Sequence, residues 1–322
     1  MKNLVFILFS WTLFAGFHLP AHAQDALPHS LPRLKVVGNH FETVEGKTVT
    51  LRGVSLCSLE WNNALKQIRD LTTGPDNWNV NVIRLPVQSI EWRRVGKDAY
   101  VKHYLDPAVK ACKDSGVYCI IDWHVIHDWK EKESVDQLKE FWETVAPRYA
   151  AEKHILYEFF NEPTTPKDRT MENWLAWRDE AQKWVDQIRK DAPLSIILVA
   201  NPHWDQMPGF AAEKPFRGSG LAYVLHVYPI WKEPLWDDLF GKAAESVPIF
   251  ITEWGWSDEK DAWWGLKGNQ KDFGDPLRAY IDKRPGISWT AWSYDDRCGP
   301  SMLGKDKDMG AFVKQWLKEA NP

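Results

Sequence analysis

The chain has 322 residues, enough to bury a sizeable core as one large barrel or two smaller domains. Its formal charge is −4, with both signs mixed along the chain and no basic block, which argues against a nucleic-acid partner. Tryptophan is the outlier at 20 residues; some belong to a core, and the excess points to surfaces that stack on flat, partly apolar ligands such as sugar rings.

The N-terminus reads as an export signal. Lys2 supplies the positive start, residues 4–17 are mostly apolar, and Ala21-His22-Ala23 forms a small-x-small cleavage site. The apolar run is too short and poorly flanked for a membrane span. Residues 1–23 are therefore set aside as a signal peptide, and the mature chain is expected to be secreted or periplasmic, with no membrane attachment. Its four cysteines are Cys57, Cys112, Cys119 and Cys298. Their spacing matches no compact zinc motif, so disulfides or buried thiols are expected, and no metal site.

Residues 24–33 read as an N-terminal arm. Residues 34–50 read as a short β-hairpin, with 34–37 and 40–43 flanking the tight-turn pair Gly38-Asn39. Such a hairpin fits beneath a barrel. From residue 49 apolar strands alternate with amphipathic helices. The predicted strands are 49–56, 80–87, 117–123, 155–160, 196–200, 221–227, 248–252 and 287–292. Predicted helices are 100–113, 134–149, 171–190, 276–282 and 309–319. In the third of these, Trp174, Trp177 and Trp184 recur at helical spacing and face the core. The Pro/Gly-rich connection after the fifth strand predicts a degenerate helix.

Strands alternating with helices in this way specify an α/β fold, a (β/α)8 TIM barrel with a short N-terminal β-hairpin, spanning 34–322 as one domain. The competing doubly wound sheet advertises a Gly-rich phosphate loop after its first strand. Here that position reads LRGVSLCSLEW, with no such pattern.

In such a barrel the C-terminal strand ends share one face. Those ends carry Arg84, His124, Asn161-Glu162, His203, His226-Val227-Tyr228, Glu253 and Trp292. Glu162 and Glu253 end strands four and seven, roughly opposite on the ring. Taken alone each reads equally as a loop cap or a salt-bridge acceptor. As a facing pair they match glycosidic-bond cleavage, which needs one protonated and one ionised carboxyl. Arg84 and Tyr228 are candidate partners that keep one of them charged.

These residues, in NVIRLP, IIDWH, FFNEP, HVYP, ITEWG and WTAWS, resemble glycoside hydrolase family 5, the cellulase-type retaining hydrolases, over about residues 51–295. The resemblance implies Glu162 as general acid/base and Glu253 as nucleophile. It implies Asn161 as a contact for the sugar 2-hydroxyl, and Arg84 and Tyr228 as supports of the nucleophile. His124 and His226 would be pocket histidines, and Trp292 a platform under the sugar. It also implies retention, a short separation of the two carboxyls, no cofactor and no metal. The expected substrate is a β-linked polysaccharide, first β-1,4-glucan; a mannanase, another β-glycanase, a transglycosylase and a non-catalytic sugar-binding barrel are the alternatives. A monomer is expected.

The strand-eight loop departs from endoglucanase-type members. A Ser-rich loop with a Lys is replaced by Ser293-Tyr294-Asp295-Asp296-Arg297-Cys298, where Arg297 stands as a candidate substitute. Trp61, His127 and Trp129 follow early strands on the active-site side. Trp204, Trp231, Trp254, Trp256, Trp263 and Trp264 follow later ones, and some of these should form stacking platforms. Cys57 and Cys298 follow strands one and eight, neighbours once the barrel closes, and are expected to pair.

Overall fold

The computed structural model describes residues 31–321; the expected signal peptide and the start of the arm lie outside the described residues. Eight parallel strands close into a barrel. They are β1 (Arg52–Ser55), β2 (Val82–Gln88), β3 (Tyr118–His124), β4 (Ile155–Glu158), β5 (Ile196–Val199), β6 (Leu221–Val227), β7 (Ile249–Trp254) and β8 (Ser288–Ala291). β8 pairs with β1 through Trp289–Arg52, Thr290–Gly53 and Ala291–Val54, which completes the ring. A Cβ on Gly53 would collide with the Val82 carbonyl, so the first strand can approach its neighbour only through glycine.

Strand alternation builds two cores. Outward residues such as Ile83, Leu85, Ile121, Trp123 and Tyr157 meet the helices Lys132–Tyr149 and Met171–Asp191 and the rest of the outer layer. Inward residues near the strand starts, Val82, Ile120, Leu156, Leu198, Val224 and Phe250, form a second apolar cluster. Leu34 and Phe41 of the N-terminal hairpin (Leu34–Val37 and His40–Thr43) join that cluster and close the barrel from below. The hairpin turns at Gly38, whose φ of 57° is the left-handed geometry the turn requires.

The helices obey their sequence signals. Met171–Asp191 starts at Thr170, whose side chain accepts from the Asn173 amide, and buries Trp174, Trp177 and Trp184. Two helices, Ala64–Thr72 and Ser89–Val95, arise where no helix is predicted. The predicted helix 100–113 is a composite: Lys97–Tyr100, a wide turn over Val101–Leu105, then Asp106–Asp114. After β5 the expected degenerate helix is a short turn, Pro202–Asp205, followed by Pro208–Ala212. Strand four stops at Glu158, short of the predicted 160. Beyond it the chain bends, and Glu162–Pro163 bridges to Ile126–His127.

Candidate active site

Two residues further up the strands, the barrel interior changes from apolar to ionic. Arg84 of β2 is fully buried there and faces three carboxylates. Its Nε and Nη2 donate to the two oxygens of Glu158, at 2.7 and 3.1 Å. Nη1 donates to Glu253 Oε1 at 2.8 Å, and Nη2 lies 3.0 Å from Asp122 Oδ2. Nη2 also donates to Asn161 Oδ1 at 2.6 Å. Burial works against the charge of Arg84, but Asp122, Glu158 and Glu253 together hold its pKa above the ordinary value. Burial pushes Asp122 up to about 7 in spite of Arg84.

The catalytic candidates sit on this layer. Glu253 receives Arg84 on one oxygen and the Tyr228 hydroxyl, at 2.8 Å, on the other. Both oxygens are thereby fixed in place by donors from β2 and from the end of β6. Burial and the nearby carboxylates of Glu253 and Glu162 drive the Tyr228 hydroxyl well above its ordinary pKa, so it stays a donor. Glu162 lacks such partners. Its side chain is 13 % exposed, burial pushes its carboxyl up to about 7, and His226 Nδ1 lies 2.7 Å from Oε1. One oxygen of Glu162, one of Glu253 and a nitrogen of His226 all lie within 4.8 Å of one another. The buried guanidinium beside them disfavours a cation, although the three groups present donor atoms for one.

Backbone geometry sets these positions. Asn161 and Glu162 are held beyond β4 by hydrogen bonds that their backbone N–H groups donate to the carbonyls of Trp123 and Val125, both 3.0 Å. The Trp142 indole donates to the Phe159 carbonyl at 2.9 Å from behind. On β7 a register shift pairs Leu225 with Ile251 but His226 with Glu253. This bulge lets two successive residues serve the interior: Thr252 donates to Glu158 Oε1 at 2.8 Å, and Glu253 meets Arg84. Strict alternation would turn one of them outward.

The remaining sequence candidates divide. His124 donates or accepts at Asp122 Oδ2, 2.7 Å from Nδ1, and stacks on Trp292 with centroids 5.2 Å apart and planes 3° from parallel. Burial pushes both His124 and His226 down to about 4, so both rings are neutral near pH 7. Asn161 Nδ2 is buried with no protein partner. On the Glu162 side a groove of about 430 Å³ is walled by Trp204, Trp231, Trp263, Trp264, Ile126 and Ile230. His203 and Trp204 line it from a run of three successive left-handed residues, His203, Trp204 and the buried Asp205, with φ of 59°, 55° and 57°.

Other candidates are structural. Trp129, Trp254 and Trp256 are buried in the core and form no platform. His127 is exposed and lies near Glu131. Arg297 donates to Trp61 O and Asn62 Oδ1, at 2.6 and 2.8 Å, and so ties two loops together. Cys57 and Cys298 form a disulfide between the same loops, as expected, and Cys112 and Cys119 are buried thiols. Sequence reading missed Asp122, Glu158, Asp205 and Thr252. Glu158 left a signal: a lone carboxylate within an otherwise apolar strand requires a buried cation, and Arg84 stands alone in the same way on β2.

With this geometry in view, the chain matches the cellulase model of glycosyl hydrolase family 5 over residues 43–297. The chain belongs to glycosyl hydrolase family 5. Within the family, an endoglucanase from Clostridium saccharobutylicum is 29% identical over 306 residues, covering 90% of this chain and 66% of that protein. Endoglucanase N from Pectobacterium atrosepticum is 27% identical over 305 residues, covering 89% and 63%. The chain thus spans slightly less than two thirds of the length of these relatives. The crystal structure of a beta-glucanase from Saccharophagus degradans superposes with a TM-score of 0.79 at 30% identity, covering 90% of this chain and 94% of that one. The same beta-glucanase in complex with cellotetraose gives the same values.

Proposed function

We propose that this family 5 chain is a retaining endo-β-1,4-glucanase that works by double displacement. The observation that carries the reading is the pair Glu253 and Glu162: two neighbouring carboxyls in opposite surroundings, with an oxygen of each within 4.8 Å of the other. That closeness favours the retaining spacing of about 5–5.5 Å over the 6.5–9.5 Å range of inverting enzymes. Glu253, whose oxygens accept from Arg84 and Tyr228, attacks the anomeric carbon. Glu162, held protonated by burial, donates its proton to the departing oxygen. The resulting carboxylate then takes a proton from water, which displaces Glu253 and frees the sugar. Asn161 offers its unpartnered Nδ2 to a sugar hydroxyl at the reacting ring, and Trp292 supplies an aromatic face.

β-1,4-Glucan is the substrate favoured by the cellotetraose complex of the Saccharophagus degradans relative and by the endoglucanase relatives. The aromatic groove beside Glu162 adjoins the acid and therefore takes the leaving portion of the chain; it also suits a sugar acceptor, which would make transglycosylation a side reaction. We read residues 34–322 as the catalytic domain of an exported protein. No helix among the described residues is long and apolar enough to cross a membrane.

The test is Glu253→Gln with a panel of glucans, mannans and xylans, recording product lengths. We expect short cello-oligosaccharides from the wild type and a loss of at least about 10³-fold in kcat for the folded variant. Turnover that persists in the variant would sink the assignment of the nucleophile. Preferential release of manno-oligosaccharides would move the substrate to mannan.

A further inference from the structure

The two carboxyls are joined by a continuous buried path, Glu162–His226–Thr252–Glu158–Arg84–Glu253. His226 Nε2 is 3.1 Å from Thr252 Oγ1. Thr252 has one hydroxyl proton, and it goes to Glu158 Oε1 at 2.8 Å. Glu158 is an acceptor on both oxygens, because Arg84 donates to each. Thr252 can therefore meet His226 only as an acceptor, and Nε2 must carry the imidazole proton. A neutral ring has no second proton. Nδ1, 2.7 Å from Glu162 Oε1, is then a bare lone pair, and the short contact is a hydrogen bond only if Glu162 supplies the proton.

We propose that Thr252 is a positioning residue that fixes the tautomer of His226 and thereby holds Glu162 as a carboxylic acid before the substrate reacts. The inference rests on the reading of Glu162 as the acid. No substrate contact is assigned to Thr252; it is fully buried beneath the cleft.

Other charged groups act on the pair without supplying this selection. Asp205 Oδ2 lies 3.8 Å from His226 Nε2, beyond hydrogen-bond range. Glu253 Oε2 lies 3.5 Å from His226 Nδ1, and its oxygen is already taken by Tyr228. Arg84 from β2 and His124 from β3 favour the ionised form of Glu162, whereas burial opposes it. Asp122, on β3 beneath His124, faces the same carboxyl. Glu158, from β4, faces His226 across Thr252. Glu162 and His226 thus meet as two neutral groups sharing one proton, and the threonine decides on which side that proton rests.

Thr252→Val removes the hydroxyl at nearly constant volume. It frees His226 to adopt the Nδ1–H form, which donates to Glu162 and favours its carboxylate. The mature chain labelled with ¹⁵N-histidine reads the tautomer directly, with His226→Asn assigning the signal. We expect Nε2 to be the protonated nitrogen in the wild type and in Thr252→Ser, and proton density to move to Nδ1 in Thr252→Val. An unchanged imidazole spectrum in Thr252→Val overturns the proposal whatever the activity. On cello-oligosaccharides, the basic limb of kcat/KM should move acidward by about one pH unit in Thr252→Val, a loss of about 10-fold above that limb. A 2,4-dinitrophenyl cellobioside, whose leaving group needs no proton, should lose little. Thr252→Ser should restore the wild-type profile. A changed spectrum with an unchanged profile overturns the role of Glu162 as the acid and leaves the tautomer assignment standing.

Discussion

Glu162 and Glu253 are the same side chain in different surroundings. Glu253 is met by a guanidinium and a phenol; Glu162 is met by an imidazole that is itself neutral. The difference originates in Arg84, which one residue shares among Asp122, Glu158 and Glu253. A buried charge of this kind contributes little net stability while its partners are present, because desolvation offsets the attraction. Removing it is another matter. Arg84→Met leaves three buried carboxylates without their cation and is expected to cost about 3–5 kcal/mol, measured by urea unfolding, besides activity. A variant as stable as the wild type would show that the carboxylates simply take up protons at no cost.

At the scale of elements, the loops after β1 and β8 form one unit. The Cys57–Cys298 disulfide joins them, and Arg297 donates to Trp61 O and Asn62 Oδ1 across the same gap. The bridge closes a loop with a sequence separation of 241, so its removal enlarges the unfolded ensemble more than a local bridge would. We expect the double variant Cys57→Ser/Cys298→Ser to lose about 2–4 kcal/mol in denaturant unfolding under non-reducing conditions, with the barrel retained. Equal midpoints for the variant and the oxidised wild type would refute this. The pairing itself was readable from topology, because closure makes the first and last strands neighbours. The anchoring role of Arg297 was not, since its partners are a carbonyl and an amide that carry no sequence signature. The hairpin behaved similarly: Gly38-Asn39 announced the turn, but only the closed barrel shows Phe41 packed against Phe250, with centroids 6.3 Å apart.

For the whole molecule, the site links stability to pH in two opposed ways. Asp122 and Glu162 are raised to about 7, so their contribution is present at low pH and lost as pH rises through about 7. His124 and His226 are lowered to about 4, so theirs is present above the ordinary histidine range and lost as pH falls through about 4. Between these limits the two pairs offset, and a single substitution exposes one side. The melting temperature of Glu162→Gln, relative to the wild type, is expected to rise as pH goes from about 4.5 to about 7, because glutamine has no proton to lose. A difference that stays constant across this range would mean that Glu162 is not perturbed by folding.

What the sequence determined by itself was the periodicity and its punctuation. Alternating strands and amphipathic helices specify a barrel, because parallel strands buried on both faces must read as apolar runs. The polar residues that interrupt those runs at one end, Arg84, His124, Asn161, Glu162, His226, Tyr228 and Glu253, could then be gathered onto one face. Which of them touch was decided only in three dimensions. The bulge opposite Leu225 and His226 turns Thr252 and Glu253 into the same interior, against the alternation a strand would otherwise impose. Glu158, hidden within an apolar run, becomes the link between the Glu162 and Glu253 carboxyls because barrel closure brings β2, β4 and β7 around one axis. Local pattern records where a side chain sits on its own strand, and contacts between strands distant in sequence exist only once the ring is closed.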